Sequence, residues 1–475
     1  MANAVKLPFK DRVKKALADQ KLRAALAKAG ETFKTKRTAV FAEMDELAAQ
    51  GLTLGTREQL KAEGRRIRQH VVDHLDAYVK QAADSIRSRG GKVHYAANAL
   101  DVGQIVKQIC EAKQAKLLVK SKSMASEEVH LNAVLQAAGM EVVETDLGEY
   151  IIQIDGETPS HLIVPAIHKN KQQVAETLSK VAGHELPADS QKLTAFARGK
   201  LRDMFLNADI GVSGANFVIA ETGSVLLVSN EGNARLVTSL PRTHIVICGF
   251  EKIIPTIEDA AVLISLLPRS ATGQKLSVYT SLVTGLPTPG EADGPEELHV
   301  IFLDNGRTNI VGTEFEETLY CIRCAACLNV CPVYRNIGGH AYGGVYSGPI
   351  GAVLTPLLNG LEEWKDLPYA SSLCMACYEA CPMGIHLHEH LLNLRKRAVR
   401  QEMAPWHEKA AMKILAWLWS SPGRYRALAS MGRLAQKLSG GWYPPPLSNW
   451  TKSREFPKIA EKTFRERWAE INGDD

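Results

Sequence analysis

The chain has 475 residues, a net charge of +5, 45% apolar residues and 23% charged residues. These values suit a soluble globular protein of two to four domains. No uncharged apolar run approaches the ~18–20 residues that a membrane span needs, and the N-terminus lacks the apolar segment of a secretory signal. We therefore expect neither a transmembrane nor a secreted protein, and we expect a cytoplasmic location.

Residues 1–65 are predicted to form a helical N-terminal arm. Apolar residues such as Val13 and Leu17 recur at helical spacing in a background rich in Lys, Arg and Ala. The stretch Gly-Leu-Thr-Leu-Gly at 51–55 interrupts the pattern, and a further helix is predicted over 67–79. No residue here suggests chemistry, so we expect the arm to pack on the next domain or on a partner.

Residues 66–305 are predicted to form an α/β domain. Short β-rich runs alternate with helical patterns, which indicates a mainly parallel sheet covered by helices on both faces. The sequence has no Gly-x-Gly-x-x-Gly fingerprint and no Walker A motif, so a nicotinamide or flavin site is not indicated. The predicted strands lie at 92–96, 116–120, 141–145, 150–154, 217–220, 224–229, 243–247 and 298–304.

Two places in this domain are candidates for chemistry. Residues 121–128, Ser-Lys-Ser-Met-Ala-Ser-Glu-Glu, lie at a strand-to-helix junction, where a serine and a glutamate could form a capping box and Lys122 could hold an anion. Residues 220–223, Ala-Glu-Thr-Gly, lie between two apolar strands. Glu221 is there either a catalytic nucleophile or base, or part of an ordinary turn.

The most specific motif is Cys321-Ile-Arg-Cys324-Ala-Ala-Cys327-Leu-Asn-Val-Cys331-Pro332. Its C-x2-C-x2-C-x3-C-P spacing is the one that wraps an iron–sulfur cubane in bacterial-type ferredoxins. The first three thiolates converge on one cluster, whereas the fourth reaches a neighbouring cluster. A second copy of the motif is therefore expected.

The second copy is Cys374-Met-Ala-Cys377-Tyr-Glu-Ala-Cys381-Pro382, with Ser371 at its first ligand position. Two cubanes need eight ligands, and the motifs supply seven cysteines. Three explanations remain open for the second cluster. It is a three-iron cluster, or a four-iron cluster with a non-cysteine ligand such as the Ser371 oxygen or a nearby His, or a site completed by a partner.

Zinc and disulfides are the alternative explanations for these cysteines. Two C-x2-C pairs could bind zinc, but zinc does not require the whole spacing twice. Disulfides would require a secreted chain. The two remaining cysteines, Cys110 and Cys248, lie in apolar stretches and are expected to be small buried hydrophobic residues.

The cysteine motifs fall in a predicted domain of residues 306–395. Between Cys331 and Cys374 lie 42 residues that include a helical stretch, far more than the link in a compact two-cluster ferredoxin. We therefore expect an α-helical ferredoxin domain that holds two clusters.

Residues 396–475 form a basic C-terminal region. Residues 391–475 carry 16 Lys and Arg against 8 Asp and Glu, a balance of +8, so the rest of the chain sums to about −3. A protein interface is the favoured explanation. The alternatives are a basic amphipathic helix near 405–419 resting on an anionic membrane surface, and an ordinary packed subdomain. Nucleic acid is not indicated. Six of the seven tryptophans lie here: Trp406, Trp417, Trp419, Trp442, Trp450 and Trp468.

These stretches together resemble the lactate-utilisation iron–sulfur protein B family. The resemblance runs over nearly the whole chain. It rests on Ser-Lys-Ser-Met-Ala-Ser-Glu-Glu-Val-His-Leu-Asn, Glu-Thr-Gly-Ser and Asn-Glu-Gly-Asn, on the first cysteine motif, and on Gly-Pro-Ile-Gly-Ala-Val-Leu-Thr-Pro and Leu-Pro-Tyr-Ala-Ser-Ser-Leu-Cys-Met-Ala-Cys. It implies that the α/β domain shares the parallel-sheet fold of the sugar-phosphate isomerase and CoA-transferase group.

The resemblance also implies a ligand set and a function. One cluster is expected on Cys321, Cys324, Cys327 and Cys381, and the other on Cys331, Cys374 and Cys377. The chain is expected to be the electron-transfer subunit of a three-protein system that oxidises L-lactate to pyruvate and allows growth on lactate. Its expected partners are a cysteine-rich-domain protein and a second α/β-domain protein. The alternative is a catalytic hydroxy-acid or acyl site at Lys122 or Glu221, served by the clusters.

Overall fold

The computed structural model describes residues 7–291, 293–439, 448, 451 and 454–472. The chain divides into two compact units, of which the first ends at Ala398 and the second begins at Val399. The first unit contains the α/β part and the cysteine motifs.

Four helices open the described part of the first unit, and polar side chains cap the starts of two of them. Asp19 accepts a hydrogen bond from the Leu22 amide, and Thr56 forms a capping box with Gln59. The Gly-Leu-Thr-Leu-Gly stretch separates the second helix from the third, as its composition predicted. The helices are α1 (Phe9–Ala18), α2 (Gln20–Ala49), α3 (Arg57–Asp73) and α4 (Leu75–Ser88).

The N-terminal arm is part of the core of the first unit. α2 buries Met44, and α3 buries Leu60, in the same apolar core that contains Cys324 and Cys327. The arm therefore packs directly against the cysteine motifs, which the sequence left open.

Ten strands and eight helices follow in the described residues up to 303. The strands are β1 (Lys92–Ala96), β2 (Leu117–Lys120), β3 (Glu141–Glu144), β4 (Ile210–Ser213), β5 (Phe217–Ile219), β6 (Ser224–Ser229), β7 (Thr243–Gly249), β8 (Ile253–Ile254), β9 (Tyr279–Val283) and β10 (Glu297–Leu303). The helices are α5 (Ala99–Ala112), α6 (Met124–Glu128), α7 (Leu131–Ala137), α8 (Leu147–Ile154), α9 (Lys171–Ala182), α10 (Ser190–Asn207), α11 (Asn233–Ser239) and α12 (Ile257–Ala271).

Six strands form an entirely parallel sheet in the order β1-β10-β7-β4-β2-β3. Every residue of β7 is buried, as expected for a parallel strand covered on both faces. Val119 of β2 pairs with Val143 of β3 and with Gly211 of β4, so the carboxyl ends of these three strands meet at one edge. The predicted parallel sheet is confirmed.

The remaining strands form a second sheet in the order β8-β5-β6-β9. β6 pairs antiparallel with both β5 and β9. The two apolar runs predicted at 217–220 and 224–229 are thus a hairpin of this separate sheet.

One strand prediction was wrong. Residues 150–154, Tyr-Ile-Ile-Gln-Ile, belong to helix α8 instead. Asp146 caps this helix by accepting a hydrogen bond from the Glu149 amide, and the run is buried on several sides. A short apolar run cannot be assigned to strand or helix by periodicity alone, and the cap decides it here.

The cysteine motifs lie in a helical segment, as predicted. Short 3-10 turns at Glu316–Tyr320, His340–Tyr342 and Leu367–Tyr369 connect its helices. Those helices are α13 (Ala326–Val330), α14 (Tyr334–Ile337), α15 (Gly348–Asn359), α16 (Leu361–Trp364), α17 (Ala376–Ala380) and α18 (Leu387–Arg400).

The described residues of the second unit include three helices as well as non-helical segments. Its helices are α19 (Trp406–Trp419), α20 (Pro422–Leu438) and α21 (Phe464–Asn472). α19 and α20 have no buried residues. Trp442 and Trp450 lie outside the described residues. Across the part of the chain that the structure describes, no helix is long and apolar enough to span a membrane.

Arg68 of α3 ties the α/β part to the cysteine segment. Its fully buried guanidinium donates to the carbonyls of Ile253 (3.1 Å), Leu319 (2.8 Å) and Glu251. Burial lowers its pKa to about 10. Because three buried carbonyls depend on it, Arg68 is expected to matter more for stability than any surface arginine.

We expect Arg68→Met to lower the free energy of unfolding by about 2–3 kcal/mol, because it leaves buried carbonyls unsatisfied. Chemical denaturation measures this loss. Arg66→Met is the matched control, since Arg66 lies on the same helix but makes only an exposed pair with Glu63. Equal losses in the two variants would contradict the bridging role of Arg68.

Candidate iron–sulfur site

The first cysteine loop turns sharply at two residues. Arg323 (φ 61°) and Ala325 (φ 59°) adopt left-handed backbone conformations, after which α13 begins at Ala326. The Arg323 amide donates to Cys321 Sγ at 3.4 Å. These turns bend the chain around the thiols of the loop.

One cavity gathers cysteines from both motifs. Cys321, Cys324 and Cys327 line it together with Cys381 of the second motif and with Arg323. The rest of the lining is largely apolar and consists of Leu162, Ile322, Ala325, Ala326, Ile350, Pro382, Met383, Ile385 and Leu387. The structure therefore brings together the four side chains expected on the first cluster.

The other three cysteines form a second group. Cys331 and Cys374 both act electrostatically on Cys377, whose pKa rises to about 12, mainly because of burial. Cys331 and Cys377 are buried, whereas Cys374 is exposed. Cys377 also acts on Cys327 of the first group, so the two groups are neighbours.

The chemistry of both groups fits iron–sulfur clusters. All nine cysteines of the chain are free thiols. Burial raises the pKa of Cys381 to about 11, and Cys321 adds to that rise. Burial and mutual repulsion make these thiols hard to deprotonate. Bound iron would supply the positive charge that stabilises the thiolates as their protons leave. Iron binding by these seven residues stays a prediction.

A buried chain of ion pairs leads from the α/β part to the first group. Glu128 of α6 binds Arg307 at 2.8 Å, Arg307 binds Glu251 at 2.5 Å, and Glu251 binds Arg323 at 3.2 Å. Burial alone would raise the pKa of Glu251, but Arg307 and Arg323 outweigh it and hold that pKa at about 2. The sequence alone did not predict this series of ion pairs, because its residues lie up to 195 positions apart (323 minus 128).

Three cations surround Cys321. Arg68, Lys252 and Arg323 all lie within electrostatic reach of its sulfur. Burial lowers the pKa of Lys252 to about 8, and repulsion by Arg323 adds to that. Such an environment favours the negative charge of a reduced cluster.

Lys122 belongs to a group of buried polar side chains at the carboxyl ends of β2, β3 and β4. This group, with Glu149 and Glu231, is called the Lys122 pocket. The Lys122 ammonium is buried and has no hydrogen-bond partner among the described residues, and the same is true of both carboxyl oxygens of Glu149. Burial raises the pKa of Glu149 well above its ordinary value. Burial and then Asp146 raise the pKa of Glu231 to about 7. Ligands bind at such edges in open parallel sheets.

The capping box predicted at this junction does not form. Ser123 caps α6 by accepting from the Ser126 amide at 3.2 Å, but the glutamates have other partners. Glu127 lies 3.4 Å from Lys120, and Glu128 binds Arg307. The tertiary ion pairs outcompete the local cap.

Glu221, the other candidate, is an exposed residue of the turn between β5 and β6. Its neighbour Ala220 accepts a hydrogen bond from Ser85 at 2.7 Å, and Gly223 (φ 69°) packs on the backbone of Ile86. The structure does not bring Glu221 together with Lys122. Of the two interpretations of Glu221, the structure favours an ordinary turn.

His161 connects the Lys122 pocket to the first cysteine group. Its Nδ1 accepts from the Ile163 and Val164 amides at 3.1 Å each, so Nε2 carries the proton that it donates to Asn329 Oδ1 at 3.0 Å. Burial lowers the pKa of His161 to about 4, and Lys122 contributes to that fall. The next residue, Leu162, lines the cysteine cavity. The loop that carries His161 and Leu162 therefore lies between the Lys122 pocket and the cysteine cavity.

Comparison with known proteins agrees with this geometry. The chain matches the LUD domain over residues 79–303, a 4Fe-4S dicluster domain over 317–385, and the C-terminal region of lactate utilisation protein B over 394–472. Proteins named lactate utilization protein B from Geobacillus sp. (strain WCH70) and Bacillus subtilis (strain 168) are 48% and 47% identical to it. The alignments cover 97% of this chain, and 97% and 96% of those proteins.

The chain belongs to the lactate utilization protein B family. A third member, from Anoxybacillus flavithermus, is 46% identical over 98% of both chains. A DUF162 family protein from Deinococcus radiodurans, solved by crystallography, aligns with 48% of this chain and 98% of its own, at 14% identity and a TM-score of 0.28.

Membership settles the nature of the metal sites. A 4Fe-4S dicluster domain holds two [4Fe-4S] clusters, so the zinc and disulfide alternatives are set aside. Cys110 and Cys248 are each 1% exposed and lie in apolar cores, as predicted for non-ligands.

We expect Cys381→Ala to lose the first cluster although the three other cysteines of its cavity remain. Iron and sulfide per chain should fall by about half, because one of two clusters lacks a ligand. Chemical iron and sulfide analysis measures this. Cys110→Ala is the matched control and should keep full iron content. Full iron in Cys381→Ala would contradict the shared first site.

Proposed function

We propose that this chain is the electron-transfer subunit of a complex that oxidises L-lactate to pyruvate, which allows growth on lactate. The oxidation releases two electrons and two protons from the hydroxy acid. Each bound cluster exchanges one electron, so the pair matches the two electrons of one lactate.

The observation that carries this proposal is the placement of the two cysteine groups. The first group is enclosed between the α/β part and the cysteine segment, whereas the second reaches the surface at exposed Cys374. Cys327 and Cys377 lie within electrostatic reach of each other. An enclosed site beside a surface site is the arrangement of a relay.

The chain's own residues prepare the first site for negative charge. The Arg323 amide donates to Cys321 Sγ, and Arg68, Lys252 and Arg323 place positive charge around it. Hydrogen bonds and cations beside a cluster raise its reduction potential. We infer that the first cluster is the stronger electron acceptor of the two.

The names of the relatives support lactate as the substrate of the complex. We propose a cytoplasmic complex in which a cysteine-rich-domain protein and a second α/β-domain protein are the partners. The exposed second group is the site at which this chain exchanges electrons with its partners.

A second function is favoured by one specific observation, the unpartnered Lys122 and Glu149 in a buried pocket. In this alternative the pocket itself binds the hydroxy acid, with Lys122 on its carboxylate. Glu231 titrates near 7, above its unfolded value, so it gains negative charge as pH rises from about 6 to 8. Anion binding at Lys122 would then weaken over that interval.

Lactate oxidation by reconstituted protein separates the two functions. We expect no pyruvate when protein loaded with iron and sulfide is given lactate and an artificial electron acceptor, and pyruvate once both partners are added. Pyruvate from this chain alone would contradict the carrier function. Loss of that pyruvate in Lys122→Met, but not in the exposed control Lys107→Met, would establish the pocket as catalytic.

The second unit is proposed to bind the partner proteins. Trp406, Trp417 and Trp419 are each more than half exposed, and Arg424 stacks over Trp417 at 4.2 Å. Exposed Trp and Arg side chains anchor protein interfaces. Peripheral contact with an anionic membrane surface is the alternative occupant.

We expect removal of residues 405–475 to abolish co-purification with the two partners while both clusters keep their visible absorbance. The reason is that the second unit contributes exposed tryptophans but none of the motif cysteines. Affinity co-purification from the native host measures this. Undiminished co-purification would contradict the interface, and loss of membrane-pelleted protein alone would favour the membrane surface.

A further inference from the structure

The second cluster has three cysteine ligands where the dicluster domain needs four. Cys331, Cys374 and Cys377 are neighbours in the structure, and no further cysteine of the chain joins them. One iron of the second cluster therefore needs a ligand that is not a thiolate. This question depends only on the dicluster domain and not on lactate oxidation.

The second cysteine loop repeats the backbone of the first. In the first loop, Arg323 and Ala325 have φ values of 61° and 59°; in the second, Leu373 and Met375 have φ values of 55° and 65°. A left-handed backbone is uncommon for residues other than glycine. Its occurrence at two matching positions in each loop shows that the loops share one conformation.

The match continues to the end of each motif. A five-residue helix follows each loop, α13 in the first and α17 in the second. Cys331 ends one at φ −74°, ψ 119°, and Cys381 ends the other at φ −72°, ψ 121°. Ser371 therefore occupies in the second loop the place that Cys321 occupies in the first.

The side chain of Ser371 also makes the contact that Cys321 makes. The Leu373 amide donates to Ser371 Oγ at 3.1 Å, just as the Arg323 amide donates to Cys321 Sγ at 3.4 Å. This bond holds the hydroxyl oxygen on the side of the loop where a ligand atom is needed. We propose that Ser371 Oγ is the fourth ligand of the second cluster, binding the iron that no cysteine reaches.

Arg395 prepares this serine for iron. Its guanidinium donates to the Ser371 carbonyl at 3.3 Å and to the Pro368 carbonyl at 3.0 Å, and it stacks over Tyr369 at 4.9 Å. These contacts fix the start of the loop and place a positive charge beside it. An Fe–Oγ bond forms as the hydroxyl proton leaves to solvent, and a nearby cation stabilises the resulting oxygen anion.

Other oxygen and nitrogen donors are less well placed. His386 and His390, which follow the motif, lie 2.9 Å and 3.5 Å from Glu317. The hydroxyl of Tyr342 is buried among Cys331, Cys327 and Cys377 and has no hydrogen-bond partner among the described residues. Tyr342 is the rival ligand, although it lies outside both repeated loops.

An oxygen ligand makes this iron the exchangeable one. Ser371 is only half-buried, and Cys374 beside it is exposed, so oxidants reach the site. Oxidation removes one electron from the [4Fe-4S]2+ cluster and releases one Fe2+, which leaves [3Fe-4S]1+; ferricyanide takes up the electron. The first cluster, with four thiolates in an enclosed cavity, keeps its iron.

The test follows iron release from full-length, reconstituted protein. Anaerobic titration with ferricyanide should release one iron per wild-type chain and produce a three-iron signal in electron paramagnetic resonance. Ser371→Cys should slow this release about tenfold, and Ser371→Ala should already contain about one iron fewer per chain before any oxidant is added. Ser372→Ala, the exposed neighbouring serine, is the matched control and should behave as wild type.

Two further variants keep the outcome decisive. Cys321→Ser should give the first cluster the same exchangeable iron, so that two irons are released per chain. Tyr342→Phe should leave the release of iron unchanged. Release that is identical in wild type, Ser371→Ala and Ser371→Cys would overturn the proposal. Release accelerated by Tyr342→Phe but not by Ser371→Ala would overturn it in favour of the tyrosine.

Discussion

The exchange of one cysteine between the two motifs is the constraint on which the rest of the structure depends. Cys381 ends the second motif but lines the cavity of the first, while Cys331 ends the first motif and neighbours Cys374 and Cys377. Neither motif can therefore complete its site alone. The segment between them must return to its starting point. The first nine residues of α15 are buried and fill the space that this return encloses.

The α/β part is coupled to that centre by buried polar contacts. The ion pairs from Glu128 through Arg307 and Glu251 to Arg323 join α6 to the first cysteine loop, and a buried ion pair is costly to break because the surviving charge is left uncompensated. A second contact joins the Ser160 carbonyl of the α/β part to Gly339 of the cysteine segment. Only a glycine fits there, because a Cβ at residue 339 would lie 1.8 Å from the Ser160 carbonyl oxygen. The loop carrying His161 and Leu162 can thus lie directly on the cysteine segment.

The two sites are alike in backbone and unlike in surroundings. The first is enclosed by apolar side chains, approached by three cations and bounded by the α/β part. The second opens at Cys374 and has a serine at the position of a cysteine. A repeated motif has in this way produced one protected site and one accessible site, because the protein packed against each copy differs.

The sequence alone determined the fold class of the α/β part and of the cysteine segment, and it indicated which cysteines are expected to bind the clusters. Repeated C-x2-C-x2-C-x3-C-P spacing depends on local chain geometry, so it identified the clusters before any fold was known, and the alternation of apolar runs identified the parallel sheet. Local patterns could not separate strand from helix at 150–154, nor place 217–220 and 224–229 in a second sheet. Only the tertiary structure decided that Lys122 lies in a buried pocket while Glu221 lies in an exposed turn, and that Glu251 and Arg323 meet. Burial and long-range ion pairs join residues far apart in the chain, and no periodicity in the sequence records them.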